Sequence, residues 1–418
     1  MTYEEKLEWL FAQFPTYQQV GERAFKSGIG TMTVLDEALG RPHSCYKTIH
    51  IAGTNGKGST SHMLAAALAA CGLRTGLYTS PHLKNFRERA RIVENGSYRY
   101  ISREDVESFL DRWKPLFEAE RPSFFEITTA MAFDWFRKEN VDIAVIETGL
   151  GGRLDSTNVI TPILSIITNI GLEHCRHLGF TLKEIAGEKA GIIKPGVPVV
   201  VGETVNETRP VFEAKARECG SRIVFACECQ KYLDVTPLQL DLKGDYQQRN
   251  LRTADAAAAL LELPRQAAAE GIRRCSAATG LRGRWETLRK AGADKAQVIC
   301  DTGHNAHGIR WIREQVDRIC CDYDNIFFIF GVVADKDIDA IASVLPHDVN
   351  YIFTQPSCER ALSATDLANA LHDRGISGRT APTVAQAFAV ADSICGEKDL
   401  ILIGGSNFTV CDAIDLFA

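Results

Sequence analysis

The sequence predicts an α/β protein of two domains. The larger, N-terminal one is a phosphate-loop mononucleotide-binding domain with a mostly parallel sheet, and the smaller, C-terminal one is a Rossmann-like α/β domain. Two observations carry this prediction. Short apolar runs alternate with helical stretches along most of the 418 residues, as expected for parallel strands connected by helices. Residues 47–71 join such a run to a glycine-rich loop and an Ala-rich helix, the order found in phosphate-binding loops.

The composition is that of an ordinary globular protein, with 45% hydrophobic and 24% charged residues and a net charge of −6. No Lys/Arg-rich run indicates a nucleic-acid surface, and no apolar run reaches the ~18 residues of a membrane span. The N-terminal stretch is acidic and amphipathic, unlike a signal peptide. The thirteen scattered cysteines form no CxxC pair, which favours reduced thiols. We therefore expect a cytoplasmic monomer that binds small molecules and neither nucleic acid nor membrane.

The glycine-rich loop after the first strand is the central motif. Its residues are Gly53, Thr54, Asn55, Gly56, Lys57, Gly58, Ser59 and Thr60. Glycines let backbone N–H groups approach phosphate oxygens, and the N-terminus of the following helix favours negative charge. Lys57 supplies a cation for the β- and γ-phosphates, and Ser59 or Thr60 a hydroxyl for Mg²⁺. The glycine spacing departs from the commonest form, but strand, lysine, hydroxyls and helix occur in the required order. We interpret the loop as a nucleoside triphosphate site.

Polar side chains follow several predicted strands, at the edge where open α/β sheets bind ligands. Ser80 follows the second strand, Glu147 ends a continuous apolar strand, and His174 comes after another strand. Close to a phosphate loop, a carboxylate in this position favours a Mg²⁺ site. Lys189 lies in an otherwise apolar stretch, which is unusual for a lysine. It requires either a paired carboxylate, such as Glu188, or a chemical role.

Other local signals complete the two domains. Asn95-Gly96 predicts a hairpin turn, Ser102 caps a predicted helix, and residues 238–242 are interpreted as an edge strand. A small, charged stretch near 289–295 marks the boundary, which gives domains 1–289 and 296–418. Strands of the second domain are expected at 297–300, 325–330, 350–354 and 400–403.

These motifs together resemble the folylpolyglutamate synthase/dihydrofolate synthase family, of the bacterial bifunctional type, a branch of the Mur ligase superfamily. Eleven motifs occur in the family's order along nearly the whole chain: HIAGTNGKGS (50–59), TSPHL (79–83), FFE.TTA (124–130), IETGLGGRLDSTN (146–158), IGLEH (170–174), IAGEKAGIIKPG (185–196), LKGDYQ..N (242–250), GRWE (283–286), DTGHN (301–305), ADKD (334–337) and GGSN (404–407). Two of them depart from the usual form, since the family more often has DGAHN and TGSLY at the positions of DTGHN and GGSNF.

The resemblance implies an ATP-dependent carbon–nitrogen ligase that adds L-glutamate to dihydropteroate, to the γ-carboxyl of reduced folates, or to both. The acceptor carboxylate would be activated as an acyl phosphate, with ATP and two Mg²⁺ ions. By family position, the implied catalytic residues are Lys57, Lys189, His174, Asp301 and His304. The implied metal ligands are Ser59, Ser80, Glu147, His174 and Lys189, the last in carbamylated form. ATP contacts beyond the loop are implied for Asn250, Arg284 and Asp301. Substrate contacts are implied for Phe124, Phe125, Asp155, His304 and Ser406.

Two alternatives remain open from the sequence. A Mur-type amino-acid ligase could act on another acceptor carboxylate, although a cell-wall ligase usually has an additional N-terminal domain and only about fifty residues precede the loop here. A nucleotide-dependent switch would bind nucleotide too. It would need neither the polar residues at the strand ends nor a second domain with its own polar rim.

Overall fold

A computed structural model describes residues 1–16, 19, 21, 26 and 28–417. The chain divides into two compact units. Unit 1 consists of Met1–Asp241 and Gln247–Leu281, and unit 2 of Leu242–Tyr246 and Arg282–Ala418. Among the described helices, none has the length and apolar character needed to cross a membrane.

A single large sheet forms the centre of unit 1. Its strands are β1 (Lys47–Ala52), β2 (Thr75–Tyr78), β3 (Ala90–Glu94), β4 (Ser97–Tyr100), β5 (Ile143–Glu147), β6 (Leu164–Ile167), β7 (Val199–Val201) and β8 (Ile223–Phe225). They lie in the order β4-β3-β2-β5-β1-β6-β7-β8. The strands from β2 to β8 in this order are parallel, and β3 and β4 form an antiparallel hairpin at one edge. Because β1 lies between β5 and β6, the glycine-rich loop leaves the sheet near its middle.

Helices cover both faces of this sheet. They are α1 (Tyr3–Gln13), α2 (Gly30–Ala38), α3 (Lys57–Ala70), α4 (Arg103–Glu120), α5 (Phe124–Lys138), α6 (Cys175–Leu178), α7 (Leu182–Ala190), α8 (Arg209–Glu218), α9 (Gln247–Leu260), α10 (Arg265–Arg273) and α11 (Cys275–Thr279). The helix after the loop, α3, packs against α9, α10 and α11. On the opposite face, Tyr78 and Ile146 of the sheet join α5 in an aromatic-rich core. Burial on both faces explains why the parallel strands are continuous apolar runs.

Unit 2 has its own sheet and core. Its strands are β9 (Glu286–Arg289), β10 (Gln297–Asp301), β11 (Ile326–Phe330), β12 (Asn350–Thr354), β13 (Gly378–Ala381) and β14 (Leu400–Gly404). Its helices are α12 (Ala306–Ile319), α13 (Ile338–Ala342), α14 (Ala364–His372), α15 (Val384–Ile394) and α16 (Asn407–Asp415). The strand order is β13-β12-β11-β14-β10-β9, and all pairs except β9–β10 are parallel. Because β10 and β14 are parallel neighbours, the loops that follow them leave the sheet at the same end, that of the carboxyl ends of its strands.

The predicted α/β class with two parallel-rich sheets is confirmed, and three details differ. Residues 238–242 form no strand, because the chain makes a 3-10 turn at Pro237–Gln239 and proline cannot donate to a ladder. The unpredicted strand β9 pairs with β10, so unit 2 begins at Arg282 and the change of unit precedes the expected 289–295. The other unpredicted strand, β13, is a polar and mostly exposed edge.

Candidate active site

The glycine-rich loop passes directly from the end of β1 into α3. Gly56 occupies the N-cap position of α3 with a φ of 80°, a conformation that glycine adopts at little cost. The Nζ of Lys57 donates to the carbonyl oxygens of Gly53 and Thr54, at 3.0 and 3.1 Å. The lysine thus folds back over its own loop. This geometry places one cation at the helix N-terminus, where anions bind favourably.

Asn250, a predicted ATP contact, lies directly against this loop. A Cβ added to Gly56 would be 2.2 Å from the Oδ1 of Asn250, so only glycine permits this approach. The Nδ2 of Asn250 donates to the Oε1 of Gln247 at 2.8 Å. Both residues are on α9 and are buried. The loop and α9 are therefore fitted to each other, with Gln247 orienting the Asn250 amide.

Two residues that the sequence analysis did not single out hold the loop from the neighbouring strand. Thr168 and Asn169 directly follow β6. The Oγ1 of Thr168 donates to the carbonyl of Asn55 at 2.6 Å, and the Oδ1 of Asn169 accepts from the N–H of Asn55 at 2.9 Å. The carbonyl of Asn169 also accepts from the N–H of Thr54 at 2.9 Å. A polar pair directly after a buried strand is the signal that could have identified them.

Lys189 is 4% exposed, and its Nζ donates to the carbonyl of Gly53 at 2.9 Å. Lys57 donates to that same oxygen, so the structure brings the two lysines together. Burial and the neighbouring Lys57 ammonium lower the pKa of Lys189 to about 7. Glu188 is not its partner, because that carboxylate binds the Arg153 guanidinium at 2.9 Å. The prediction that Glu188 is the carboxylate partner of Lys189 is therefore wrong, and a chemical role is the explanation that stays open.

The predicted metal ligands contribute oxygen and nitrogen donors around the carboxyl ends of the strands. Glu147 is buried at the end of β5, and its Oε2 accepts from the backbone N–H of Ser80 at 3.3 Å. Ser59 is buried in the first turn of α3, and His174 has a φ of 53° just before α6. Across the described part of the chain, no three His, Cys, Asp or Glu side chains form a metal cluster. One carboxylate with serine hydroxyls nevertheless fits Mg²⁺, which usually keeps several waters and phosphate oxygens as ligands.

Asp155 organises the glycine loop after β5. Its Oδ2 accepts from the N–H groups of Gly149 and Leu150, at 2.9 and 2.8 Å. Its Oδ1 accepts from the N–H and the hydroxyl of Thr157, at 3.0 and 2.5 Å. Burial raises the pKa of this carboxyl, although each of these donors favours the charged form. The described contacts therefore give Asp155 a direct role in shaping the loop.

The two phenylalanines predicted to line a substrate pocket have different surroundings. Phe124 is 4% exposed and belongs to the hydrophobic core, where its ring stacks with Phe11 at 5.6 Å. Phe125 is partly buried and lies 5.9 Å from the ring of Tyr78. A Cβ at Gly149 would be 2.6 Å from the Phe125 ring. Phe125, between the glycine loop and Tyr78, is thus the better placed of the two to contact a ligand.

Asp301 ends β10 in unit 2 and accepts three hydrogen bonds within that unit. Its Oδ2 accepts from the hydroxyl of Tyr246 at 2.5 Å and from the N–H of Trp285 at 2.8 Å. Its Oδ1 accepts from the N–H of Gly303 at 2.8 Å. Burial raises the pKa of Asp301, and the neighbouring Arg284 guanidinium opposes that shift. Asp301 thereby joins Leu242–Tyr246 to the rest of unit 2.

Of the other predicted residues of unit 2, Arg284 precedes β9, while His304 and Ser406 follow the ends of β10 and β14. Arg284 donates to the hydroxyl of Thr302, and the Nδ1 of His304 lies 2.9 Å from the carbonyl of Thr302. Ser406 is 3% exposed and caps α16, since its Oγ accepts from the N–H of Thr409 at 3.0 Å. Its hydroxyl therefore already has a structural role. Arg284 and His304 thus both contact Thr302, and Ser406 caps α16.

The chain is similar to known families and proteins. The Mur ligase middle domain matches residues 51–253, and the Mur ligase glutamate ligase domain matches residues 283–407. The chain is 32% identical to the folylpolyglutamate synthase of Lacticaseibacillus casei over 97% of this chain and 96% of that protein. It is also 32% identical to the dihydrofolate synthase/folylpolyglutamate synthase of Bacillus subtilis over 93% of this chain and 94% of that protein.

Solved structures show the same similarity. The Mycobacterium tuberculosis folylpolyglutamate synthase complexed with ADP superposes with a TM-score of 0.84 and 29% identity, covering 100% of this chain and 98% of that one. A bifunctional folylpolyglutamate synthase/dihydrofolate synthase from Yersinia pestis, complexed with AMPPNP and Mn ion, superposes with a TM-score of 0.81 and 28% identity, covering 98% and 97%.

Proposed function

The chain belongs to the folylpolyglutamate synthase/dihydrofolate synthase family of Mur ligases, and from that premise we propose that it is an ATP-dependent ligase of L-glutamate. The acceptor is the carboxylate of dihydropteroate, the γ-carboxyl of a reduced folate, or both. We propose unit 1 as the ATP-binding unit with the pterin or folate pocket, and unit 2 as the glutamate-ligase unit. The enzyme is proposed to act as a cytoplasmic monomer.

One observation favours a ligase over a protein that only binds nucleotide. Lys57 and Lys189 donate to the same carbonyl, that of Gly53. A switch protein needs only the first of these lysines to hold phosphate. A second, fully buried lysine costs stability, because the charged form loses its hydration. Chemistry on the phosphate accounts for its presence there.

The proposed reaction has two steps. An oxygen of the acceptor carboxylate attacks the γ-phosphorus of ATP, and the bond to the β-phosphate oxygen breaks to release ADP. The amino group of L-glutamate then attacks the acyl carbon, loses a proton, and phosphate leaves. Lys57 stabilises the negative charge on the transferring phosphoryl group. The remaining loop residues, Gly53–Thr60, orient the phosphates through their N–H groups.

Magnesium would be held by Ser59, Ser80, Glu147 and His174, together with Lys189 as a carbamate. When bound, it neutralises charge on the phosphate oxygens. A lysine with a pKa near 7 is about half deprotonated at neutral pH, so the neutral form of Lys189 can attack CO₂ and release a proton to form that carbamate. With ¹³C-labelled bicarbonate, the wild-type protein should show a carbamate carbon signal that Lys189→Met lacks.

The other predicted residues complete the proposed site. Asn250, Arg284 and Asp301 are proposed to contact ATP, and Asp301 and His304 to act in catalysis. His304 and Ser406 are proposed to contact L-glutamate. Phe125 and Asp155 are proposed to line the pterin side of the acceptor, where an aromatic ring suits a flat heterocycle. Phe124 is proposed to support that side from the core.

The test is ADP release with Mg·ATP and L-glutamate, with dihydropteroate and tetrahydrofolate offered in separate reactions. Turnover with both acceptors supports a bifunctional enzyme. Turnover with one restricts the activity to folate synthesis or to polyglutamylation. If neither acceptor is used, the folate assignment is wrong, and other acceptor carboxylates of Mur-type ligases should be screened.

A further inference from the structure

One buried histidine, in the motif that contains the glycine-rich loop, has no role in the site described so far. His50 lies on β1, shortly before that loop begins at Gly53, and is 0% exposed. Burial lowers the pKa of His50 to about 3, so its ring is neutral near pH 7. The Nε2 of the ring lies 2.8 Å from the Oγ1 of Thr157. Within the described part of the chain, its Nδ1 is buried without a hydrogen-bond partner.

The direction of these hydrogen bonds follows from the carboxylate of Asp155. Three backbone N–H groups donate to it, those of Gly149, Leu150 and Thr157, at 2.9, 2.8 and 3.0 Å. They favour the charged form, which can only accept hydrogen bonds. The hydroxyl of Thr157 therefore donates to Asp155, and its oxygen accepts from the Nε2–H of His50. We call His50, Thr157 and Asp155 the His50 network.

The unpartnered Nδ1 indicates that this position of β1 requires the Nε2–H group. A buried acceptor without a donor costs stability, because it loses its hydration. The neighbours Ile49 and Ile51 are apolar and 0% exposed, and an apolar side chain at position 50 would avoid that cost. It could not, however, orient the hydroxyl of Thr157. The histidine therefore serves to direct that hydroxyl at the Asp155 carboxylate.

The loop that the His50 network holds packs against the proposed acceptor pocket. A Cβ at Gly149 would be 2.6 Å from the ring of Phe125, so the backbone of the loop lies directly on that ring. The ring of Phe125 is 5.9 Å from that of Tyr78. Burial raises the pKa of Tyr78 to about 12, and the Asp155 charge contributes to this shift. A displaced loop would therefore change the aromatic surface at which the acceptor is proposed to bind.

We propose that His50 and Thr157 are positioning residues for the acceptor. Through Asp155 they fix the glycine loop after β5, and with it the wall of the acceptor pocket. The proposal rests on the proposed function, because it takes that wall to contact a folate-type acceptor. It involves no proton transfer, since the ring stays neutral and each hydrogen bond keeps its direction.

A second buried pair of histidine and threonine provides a matched control. His62 on α3 is 1% exposed, and its Nδ1 lies 2.7 Å from the Oγ1 of Thr279. Thr279 is 0% exposed, and its hydroxyl donates to the carbonyl of Cys275. It therefore accepts from the Nδ1–H of His62. This pair has the same burial and the same kind of hydrogen bond, but it joins α3 to α11 instead of holding the loop after β5.

The first measurement tests the hydrogen bonds themselves. In ¹⁵N spectra of histidine-labelled protein at pH 7, His50 should be protonated at Nε2 and His62 at Nδ1. The assignment of each signal follows from its loss in His50→Gln and His62→Gln. Protonation of His50 at Nδ1 would overturn the inference, because the ring could not then donate to Thr157.

The second measurement is amide hydrogen exchange, which requires no substrate. Thr157→Val and Thr279→Val each replace a buried hydroxyl by a methyl group of similar size. Only Thr157→Val should speed the exchange of the Gly149 and Leu150 N–H groups, by about 10-fold, because Asp155 is then held less firmly. Unchanged exchange in Thr157→Val, or an equal acceleration in both variants, would contradict the His50 network.

The third measurement separates acceptor from nucleotide. The KM for dihydropteroate, or for tetrahydrofolate if only that acceptor is turned over, is compared with the Kd of Mg·ADP. Thr157→Val and His50→Leu should raise the acceptor KM by about 10-fold and leave the Kd unchanged. Thr157→Ser keeps the hydroxyl and His50→Gln keeps an N–H group in place of Nε2–H, so both should stay close to the wild type. Thr279→Val should change neither quantity.

The outcomes separate this inference from the proposed function. If Thr157→Val keeps the wild-type acceptor KM, the inference is wrong while the ligase assignment stands. An equal loss of Mg·ADP affinity would also overturn it, because a general disturbance of β1 and the phosphate loop would then be the cause. If His50→Leu fails to fold by circular dichroism, Thr157→Val decides. If the wild type turns over neither acceptor, the proposed function itself fails, and amide exchange alone decides whether the His50 network holds the loop.

Discussion

At the scale of single residues, the shared contact of Lys57 and Lys189 with the Gly53 carbonyl is the central feature. Two ammonium groups that share one acceptor repel each other. The better buried of the two, Lys189, therefore gives up its proton more easily, as its pKa of about 7 shows. The other lysine, Lys57, folds over the phosphate loop. One carbonyl oxygen thus accepts from both lysines, and the lowered pKa of Lys189 makes its neutral, nucleophilic form accessible near neutral pH.

The role of Lys57 can be tested by truncation. We predict that Lys57→Ala lowers kcat by at least about 100-fold, because the phosphoryl group loses its main protein cation, while the fold stays intact. Lys194→Ala is the control, since the Nζ of Lys194 also donates to a backbone carbonyl, that of Asn158, at 2.8 Å. ADP release and thermal unfolding should be measured for both. Wild-type turnover in Lys57→Ala would remove the phosphate-loop assignment.

The pKa of Lys189 predicts how stability changes with pH. Between pH 7 and 10.5 the unfolded chain holds the Lys189 proton and the folded chain does not, so the folded state gains stability as the pH rises. Relative to Lys189→Met, the wild type should gain up to ~1.4 kcal/mol per pH unit in this window. Denaturant unfolding in CO₂-free buffers from pH 6.5 to 9.5 measures it. A constant difference between the two proteins would contradict a lowered pKa.

At the scale of secondary-structure elements, the ends of α3 provide a matched pair of glycines. Gly56 at its start and Gly72 just after its end both have positive φ, 80° and 87°. A Cβ at Gly56 would meet Asn250 at 2.2 Å, whereas a Cβ at Gly72 would meet nothing within 4 Å. We predict that Gly72→Ala loses about 1 kcal/mol of stability through its positive φ. Gly56→Ala should lose more, because its Cβ also displaces Asn250, and only Gly56→Ala should lose Mg·ATP affinity. Calorimetric titration of the nucleotide distinguishes them, and equal affinity in both variants would refute the fit between loop and α9.

The N-cap of α16 tests the assignment of Ser406. Ser406→Ala should cost about 1 kcal/mol through loss of the cap. Ser363→Ala is the control in the same unit, because the Oγ of Ser363 caps α14 by accepting from Asp366 N–H at 3.0 Å. If Ser406 also contacts L-glutamate, only Ser406→Ala should raise the KM for glutamate, and Ser406→Thr should restore it. If Ser406→Ala and Ser363→Ala have the same KM for glutamate, Ser406 acts only as a helix cap.

Features that depend on neighbouring residues were predictable from the sequence. The glycine loop, the Asn95-Gly96 hairpin and the helix capped by Ser102 each follow from a few consecutive residues. The hydrogen bond between the N–H of Asn55 and the side chain of Asn169 was not predictable. The two residues lie 114 residues apart and meet only because β1 pairs with β6. The burial of Phe124 had no local signal either, since an aromatic residue suits a core and a ligand pocket equally well.

At the scale of the whole molecule, unit 2 is built from two separate parts of the chain, a short early segment and the continuous stretch that begins at Arg282. Leu242–Tyr246 belongs to unit 2, while the residues on either side belong to unit 1. Tyr246 anchors this segment, because its hydroxyl donates to Asp301 and its ring stacks on Trp311 at 5.7 Å. Unit 2 thus depends for part of its core on a segment that lies outside its continuous sequence.

This arrangement predicts that the two units respond separately to two similar substitutions. Tyr246→Phe leaves the buried Asp301 with one donor fewer and should lower the unfolding temperature of unit 2 by about 2–8 °C. Tyr46→Phe, which removes a hydroxyl donated to the carbonyl of Phe133 at 3.1 Å, should affect unit 1 instead. With 5-fluorotryptophan, ¹⁹F signals from Trp9, Trp113 and Trp135 report on unit 1, and those from Trp285 and Trp311 on unit 2. If all five signals shift together in either variant, the units unfold as one cooperative body and the prediction is wrong. A shift confined to the last two signals in Tyr246→Phe would show that one tyrosine hydroxyl ties the early segment to the stability of unit 2.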